Sequence, residues 1–460
     1  MKFRKIDANK SLIFFLFAHL IVWTLVPSIS NTNLPLDTIE ALAWGSNLDW
    51  GYNKHPPVSA WIVKGFYQIF GNQDWSYYFL SQLFVVSSFF IVFKFSEDFF
   101  KNRIFSLISI LLLEGIYFHN FTTPEFNVYV CQLPFRALTV YFCWRGFKNN
   151  DALSWLLFGA FAALGFLSHY LFLYLLIALT IFFIIILIQK KKLDLKYFIP
   201  GTVFLILILP HFIWLMENNY TTITYAFHRT GLNESTYINH ISHPLIFLGK
   251  QIAILLPFLF MFLIIISKIK IKFKKTDKKL LFLLVINFVP IILMFLTSFV
   301  MGTKIRTMWM SPFYLFMGVL FLYLFQKNIV LKKFKYFFSI FLILFIFSPA
   351  VYLYVSISEK NKRTDYPGKE IANSVQEKWD ENFKDNIKSV IGDEWHAGNL
   401  SYHLKSNPKW HSHSSAFIEK SVDDFIETIG QDGFIIVNGE CSTGISFMIR
   451  NNNICMYGKK

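Results

Sequence analysis

Up to about residue 358 the apolar positions of this chain follow neither the helical nor the strand period. They run almost unbroken for roughly 17 to 23 residues at a time, separated by short polar stretches rich in Lys, Arg and Asn. A helix rises about 1.5 Å per residue, so about 20 such residues cross the hydrocarbon core of a bilayer. Backbone in lipid must satisfy its own N–H and C=O groups, which predicts helices for these runs. Eleven runs qualify, at residues 11 to 29, 76 to 95, 104 to 118, 128 to 144, 152 to 168, 170 to 188, 197 to 216, 245 to 267, 279 to 301, 307 to 326 and 336 to 357. The first follows a basic start (Lys2, Arg4, Lys5, Lys10), as a secretory leader would. It is long enough to span, and no clear small-residue cleavage site follows it, so it reads as an anchor.

The pattern changes after residue 358. Lys369 to Phe383 has the spacing of an amphipathic helix, and Phe434 to Val437 reads as a strand. The fold class expected is therefore an all-α polytopic membrane protein of about 11 transmembrane helices, residues 1–358, followed by a small C-terminal α/β domain, residues 359–460.

Charge orients this arrangement. With the N-terminus inside and eleven crossings, about 24 Lys and Arg fall in the inside loops and about 5 in the outside loops. The inside clusters include Lys190, Lys191, Lys192 and Lys196, the run from Lys268 to Lys279, and Lys332, Lys333 and Lys335. A count off by one helix would reverse half of these assignments. The outside face then carries the loop 31–75, a shorter one from His119 to Asn127, another from Glu217 to Pro244, and the C-terminal domain. In a bacterial cell this is an inner-membrane protein with its N-terminus in the cytoplasm and its C-terminal domain in the periplasm. Cys441 and Cys455 can close a disulfide there, with two unpaired thiols as the other reading. Cys131 and Cys143 lie in an apolar stretch and read as buried thiols.

Composition agrees with a lipid solvent. Of 460 residues 54% are hydrophobic and 19% aromatic, with 55 Phe. The net charge of +15 sits in clusters between spans, which marks topology and excludes nucleic acid as the partner. No Walker motif, metal-binding Cys pair or internal repeat is present.

Chemistry concentrates in the first outside loop, LPLDTIEALAWGSNLDWGYNKHPPVSAWIVKGFYQIFG. Asp37 and Glu40 are three apart and share a face if a helix begins there. Pro56 and Pro57 fix the start of an amphipathic helix lying in the interface. The loop resembles that of the GT-C glycosyltransferases, the group of dolichyl-phosphate-mannose protein mannosyltransferases and bacterial aminoarabinose (lipid A) transferases. The likeness rests on LDTIE after the first span and NKHPPVSAW leading into the interfacial helix. It continues to TMWMSPFY, and the tail motif GDEWHAGNLSYHL is similar to that of a bacterial subgroup. The family pattern has adjacent Asp-Glu, whereas here Thr38 and Ile39 separate the two carboxylates.

The resemblance implies an enzyme that moves a monosaccharide from a polyprenyl (undecaprenyl) phosphate carrier to lipid A or another envelope glycan, with inversion. In that scheme Asp37 and Glu40 are catalytic. Lys54, His55 and Arg306 take the donor phosphate, and Tyr52, Glu125, Asn127, His169 and Tyr170 contact substrate. No metal ligands are assigned, although Glu125 with Asp37 leaves a divalent cation (Mg or Mn) open. Membrane lipids are the other partner. Arg136, inside a span, reads as the partner of Glu114 or Glu125. Tyr220, His228 and Arg229 are placed to shape the acceptor side.

Each residue has a plainer reading. Asp37 could cap a helix; Lys54 could meet lipid headgroups; His55 could be structural; Glu125 could be an idle loop carboxylate. Asp49 orders the WGY turn more readily than it catalyses. Protein O-glycosylation is the alternative acceptor chemistry. A lipid-linked-sugar transporter or flippase would need a polar path midway along the spans, where this chain has few polar groups.

Overall fold

The computed structural model describes residues 7–191, 194–230, 236–270, 276–412, 414–415, 418–419, 433–441 and 444–459. Helix α1 (Ala8–Ser30) starts at Asp7, whose carboxylate accepts the N–H groups of Asn9 and Lys10. The loop after it folds into α2 (Leu36–Ser46) and α3 (Val58–Phe70) before α4 (Asp74–Ser96). Then come α5 (Arg103–Leu111), α6 (Val128–Asn149), α7 (Ala152–Ser168), α8 (Leu173–Lys190), α9 (Ile199–Glu217) and the short α10 (Thr221–Arg229). Next are α11 (Asn239–Ile265), α12 (Lys278–Met301), α13 (Met317–Phe325) and α14 (Phe334–Ser358). The main packed pairs are α6 with α7, α7 with α9, α1 with α4, α4 with α6, and α8 with α12.

Among the described residues, seven helices are long and apolar enough to cross a membrane: α1, α4, α8, α9, α11, α12 and α14. An eighth crossing is available if the 3-10 segment Thr307–Tyr314 and α13, bent by 53°, act as one span. The remaining expected spans are helical but not of this kind. Helix α7 is apolar but only 17 residues long. Helix α6 carries Arg136, Arg145 and Lys148 among its 22 residues. The run expected as one helix at 104 to 118 breaks after α5 into 3-10 turns, Leu112–Gly115 and Tyr117–His119.

That break has a cause in buried polar groups. The Glu114 carboxylate reaches His19 Nδ1 of α1 at 2.7 Å and takes the Asn120 amide at 3.1 Å, while Asn120 also donates to the Glu114 carbonyl at 2.9 Å. Gly115 lies so close to α11 that a Cβ there would stand 2.6 Å from the Phe258 Cα. Arg136 does not join this network. Its guanidinium lies over the Phe313 ring at 4.5 Å, so the expected pairing with Glu114 or Glu125 is not what forms.

After α14 the chain forms α15 (Gly368–Asn382), matching the expected amphipathic helix, and α16 (His396–His403). A five-stranded sheet accompanies them: β1 (Ser389–Gly392), β2 (Lys409–Ser412), β3 (Phe434–Val437), β4 (Ile445–Ile449) and β5 (Asn452–Tyr457). The order is β2-β1-β3-β5-β4. Strand β1 runs parallel to β2 and β3, β5 antiparallel to β3, and β4 and β5 form a hairpin. The hairpin turns through Arg450 and Asn451, both at positive φ as a two-residue turn requires. All four residues of β3 are buried, as a central strand requires. Cys441 and Cys455 are joined as a disulfide, with Cα atoms 5.6 Å apart.

This C-terminal segment sits on the first loop. Helix α16 packs on α2, and a Cβ at Gly398 would lie 3.1 Å from the Ala43 Cβ. Three hydrogen bonds reinforce the contact: Tyr402 O–H to Asp74, His403 Nε2 to Asn33 Oδ1, and the Trp410 N–H to Ser46 Oγ.

Candidate active site

The loop after α1 and the segment 119–127 are laced together at the start of α2. Pro35 leaves that helix without a side-chain cap, and its N-terminal N–H groups need an acceptor. Glu125 supplies one from the segment 119–127: its Oε1 accepts the Asp37 N–H at 3.0 Å. An anion is favoured there because the helix N-terminus carries partial positive charge. One residue on, Thr38 Oγ1 donates to the Phe126 carbonyl at 3.1 Å. Asn127 caps α6 with its side-chain oxygen, which accepts from Tyr129 and Val130. The capping reading therefore belongs to Asn127, and the Asp37 side chain is released for other work.

The NKHPP turn is held from both sides. The Tyr52 N–H donates to the His55 carbonyl, and the Tyr52 hydroxyl accepts from the Asp49 N–H and donates to the Asn47 carbonyl. From α9, His211 Nδ1 bonds the Trp50 carbonyl at 2.6 Å. A carbonyl only accepts, so Nδ1 carries the proton and Nε2 receives the Tyr170 hydroxyl at 2.7 Å. Gly51 is needed here, since a Cβ would come within 2.3 Å of the Trp214 ring. From α10, Thr222 donates to the Tyr52 carbonyl at 2.8 Å.

These elements enclose a cavity of about 730 Å³. Its wall contains Asp37, Glu40, Lys54, His55, His169, Tyr170 and Arg306 from the residues expected on sequence grounds. Five expected residues are absent from that wall, Tyr220 and His228 of the acceptor-side group among them. Tyr52 is buried and stacked on Trp44 at 5.7 Å, Glu125 caps α2 behind Asp37, and Asn127 caps α6. The cavity also takes Tyr225 and Arg229 from α10, Trp309 beside Arg306, and Arg363, Asp393, Glu394 and Trp395 from the C-terminal segment. Of these only Arg229 was expected from the sequence, and the four from the C-terminal segment were missed along with Tyr225 and Trp309. The signal for three of those four was the GDEWHAGN motif, and for Arg363 there was none.

Electrostatics separate the wall into two kinds of group. Burial, and then the charge of Glu125, pushes the Asp37 carboxyl up to about 8, against the pull of Lys54, Arg363 and Arg229. Burial pushes Glu40 up to about 7 although Lys54 pulls the other way. Lys54 reaches Glu40 Oε1 at 2.8 Å and Glu394 Oε1 at 3.3 Å. Burial alone would lower its pKa, yet the two carboxylates hold it above the ordinary lysine value. His55 comes to the site uncharged, because burial, His169 and Lys54 all lower its pKa well below the usual range. Its ring lies 5.7 Å from Trp44 and 5.3 Å from His169 by centroid. Burial holds His169 near 3 as well, and its Nδ1 accepts the Leu171 N–H at 3.0 Å. The cations of the cavity are thus Lys54, Arg229, Arg306 and Arg363. Among the described residues the three arginines form no ion pair, and Arg363 lies over the Trp395 ring at 5.7 Å.

Among the described residues no three His, Cys, Asp or Glu side chains converge to hold a metal ion. Asp37 and Glu125 meet through a backbone N–H with no third ligand beside them, which does not fit a metal centre.

Residues 54–214 match the family model for dolichyl-phosphate-mannose-protein mannosyltransferase, a region that includes the NKHPP turn and runs to the end of α9. No curated protein matches the chain. Two solved structures of ArnT from Cupriavidus metallidurans are similar to it. The undecaprenyl-phosphate-bound form has a TM-score of 0.63 at 11% identity, covering 94% of each chain. The apo form has a TM-score of 0.59 at 10% identity, covering 97% of this chain and 98% of that one. At these coverages the likeness extends over nearly the whole chain. The chain is a multi-pass membrane protein with the GT-C fold of membrane glycosyltransferases.

Proposed function

We propose that this protein transfers a monosaccharide from a polyprenyl-phosphate carrier, of the undecaprenyl type, to lipid A or another envelope glycan. The observation that carries the reading is a single cavity holding a poised carboxylate, Asp37, together with a set of cations on its wall. In this scheme the acceptor oxygen attacks the anomeric carbon while the bond from that carbon to the phosphate oxygen breaks. The acceptor proton passes to Asp37, and the polyprenyl phosphate leaves as an anion. A single displacement inverts the anomeric centre. A base whose pKa lies near the working pH is suited to the first task. Lys54 and Arg306, joined by Arg229, suit the second, because fixed cations stabilise charge developing on phosphate oxygen. His169, Tyr170, Tyr225 and Trp309 offer aromatic faces to the sugar and lipid. Glu40 acts as the partner that fixes Lys54.

The bacterial inner membrane is the proposed location, with the N-terminus in the cytoplasm and the C-terminal domain in the periplasm. The distribution of Lys and Arg supports this orientation, and so does the Cys441–Cys455 disulfide, which belongs to an oxidising compartment. A protein hydroxyl is the second acceptor to consider, favoured by the mannosyltransferase family match over 54–214.

The test is to incubate purified protein with a polyprenyl-phosphate sugar and lipid A and measure release of polyprenyl phosphate. Wild type should release it and Asp37→Asn should not. Turnover by Asp37→Asn at the wild-type rate would remove Asp37 from catalysis. Mass spectrometry of lipid A from a deletion strain should show a missing sugar. An unchanged lipid A profile beside an altered glycoprotein profile would move the acceptor to protein.

A further inference from the structure

We propose that the C-terminal segment is part of the donor site, with Glu394 acting as a positioning residue for the Lys54 ammonium. The proposal rests on the reading of Lys54 as a ligand of the donor phosphate. An ammonium has three N–H donors and no acceptor, and its stem is flexible. Lys54 Nζ donates to Glu40 Oε1 at 2.8 Å and forms an ion pair with Glu394 Oε1 at 3.3 Å. One carboxylate comes from α2 and the other from the turn before α16, so the ammonium is fixed from two directions. A remaining N–H of the ammonium can turn to an oxygen inside the cavity, whose wall holds all three side chains.

Glu394 is itself fixed. Asn53 Nδ2 donates to the same Oε1 at 2.9 Å. The neighbouring Asp393 accepts the N–H groups of Trp395 at 2.8 Å and His396 at 2.6 Å, which sets the turn that aims Glu394 at the NKHPP loop. Docking of the segment does not depend on this ion pair. Tyr402 with Asp74, His403 with Asn33 and Trp410 with Ser46 hold it at other points. Removing Glu394 therefore leaves the segment in place and releases one of the two restraints on Lys54. A freed ammonium folds onto Glu40 alone, which draws it away from an incoming phosphate.

The experiment is a double-variant cycle on the full chain in detergent, read as binding of undecaprenyl phosphate and as KM for donor and acceptor. Glu394→Ala should weaken undecaprenyl phosphate binding about tenfold. It should raise the donor KM in step and leave the acceptor KM unchanged. In a Lys54→Ala background it should cost nothing further. Glu394→Gln keeps the length and one acceptor oxygen and should recover most of the loss; it replaces alanine in the cycle if the alanine variant does not fold. Unchanged binding by Glu394→Ala, or losses that add in the double variant, would overturn the positioning role. Wild-type binding by Lys54→Ala alone would instead overturn the phosphate role of Lys54, and the proposal with it.

Discussion

At the scale of single residues the site turns on the meeting of Asp37 and Glu125. Burial first, and then the like charge of Glu125, makes the Asp37 carboxyl resist ionising and holds it near 8. A base must be deprotonated to accept a proton, so kcat/KM should fall about tenfold per pH unit below 8 and level off above it. A profile flat between pH 6 and 9 would speak against Asp37 as the base. Glu125→Gln keeps an acceptor for the Asp37 N–H but removes the like charge, so the profile should move about one unit toward acid. Sequence alone pointed to Asp37, Glu40 and Lys54 because charged residues beside NKHPP are costly ornaments for an ordinary connector. It did not foresee that Tyr52 and Asn127 bond backbone groups, because a residue type does not say whether its polar atom meets a sugar or a backbone N–H. In both, local hydrogen bonding won.

At the scale of elements the long helices were legible from hydropathy, and the two breaks were not. The run 104 to 118 is apolar enough to suggest one helix, but its fate is set by His19, 95 residues away from Glu114. No window over the sequence sees that partner. Truncating one member of such a buried pair strands the other, so Glu114→Ala should destabilise the protein by about 3 kcal/mol. The double replacement of His19 and Glu114 by leucine should cost clearly less than the sum of the single changes, measured as thermal unfolding in detergent. Additive losses would mean the pair does not act as a unit. The second break, at the TMWMSPFY segment, contains Pro312, which has no N–H to give to a helix. Its consequence is functional, because the 3-10 segment lets Arg306, Met308 and Trp309 all reach the cavity.

At the scale of the whole molecule the first loop and the C-terminal segment, nearly 350 residues apart in sequence, form one wall of the cavity. The sequence predicted the α/β character of the tail, from Lys369 to Phe383 and Phe434 to Val437, but not where it sits. Docking depends on surface matching between α2 and α16 that has no periodicity to read. The disulfide tests the assigned side. Cys441 and Cys455 should react with maleimide in intact cells only after reduction, and replacing both should cost about 2 to 3 kcal/mol of stability. Alkylation without a reductant would contradict an oxidising location.

The absence of a side chain at Gly398 carries a consequence for anyone who would treat the tail as a module. With Ala43 3.1 Å and Ile39 3.2 Å from where a Cβ would stand, the face of α2 that turns away from the chemistry is moulded to one particular partner. A tail grafted from a distant relative would bring its own contour to that seam and lift α2, carrying Asp37 and Glu40 with it. Moving this tail between such proteins is therefore a matter of transplanting the seam, helix and tail together, rather than swapping a detachable cap.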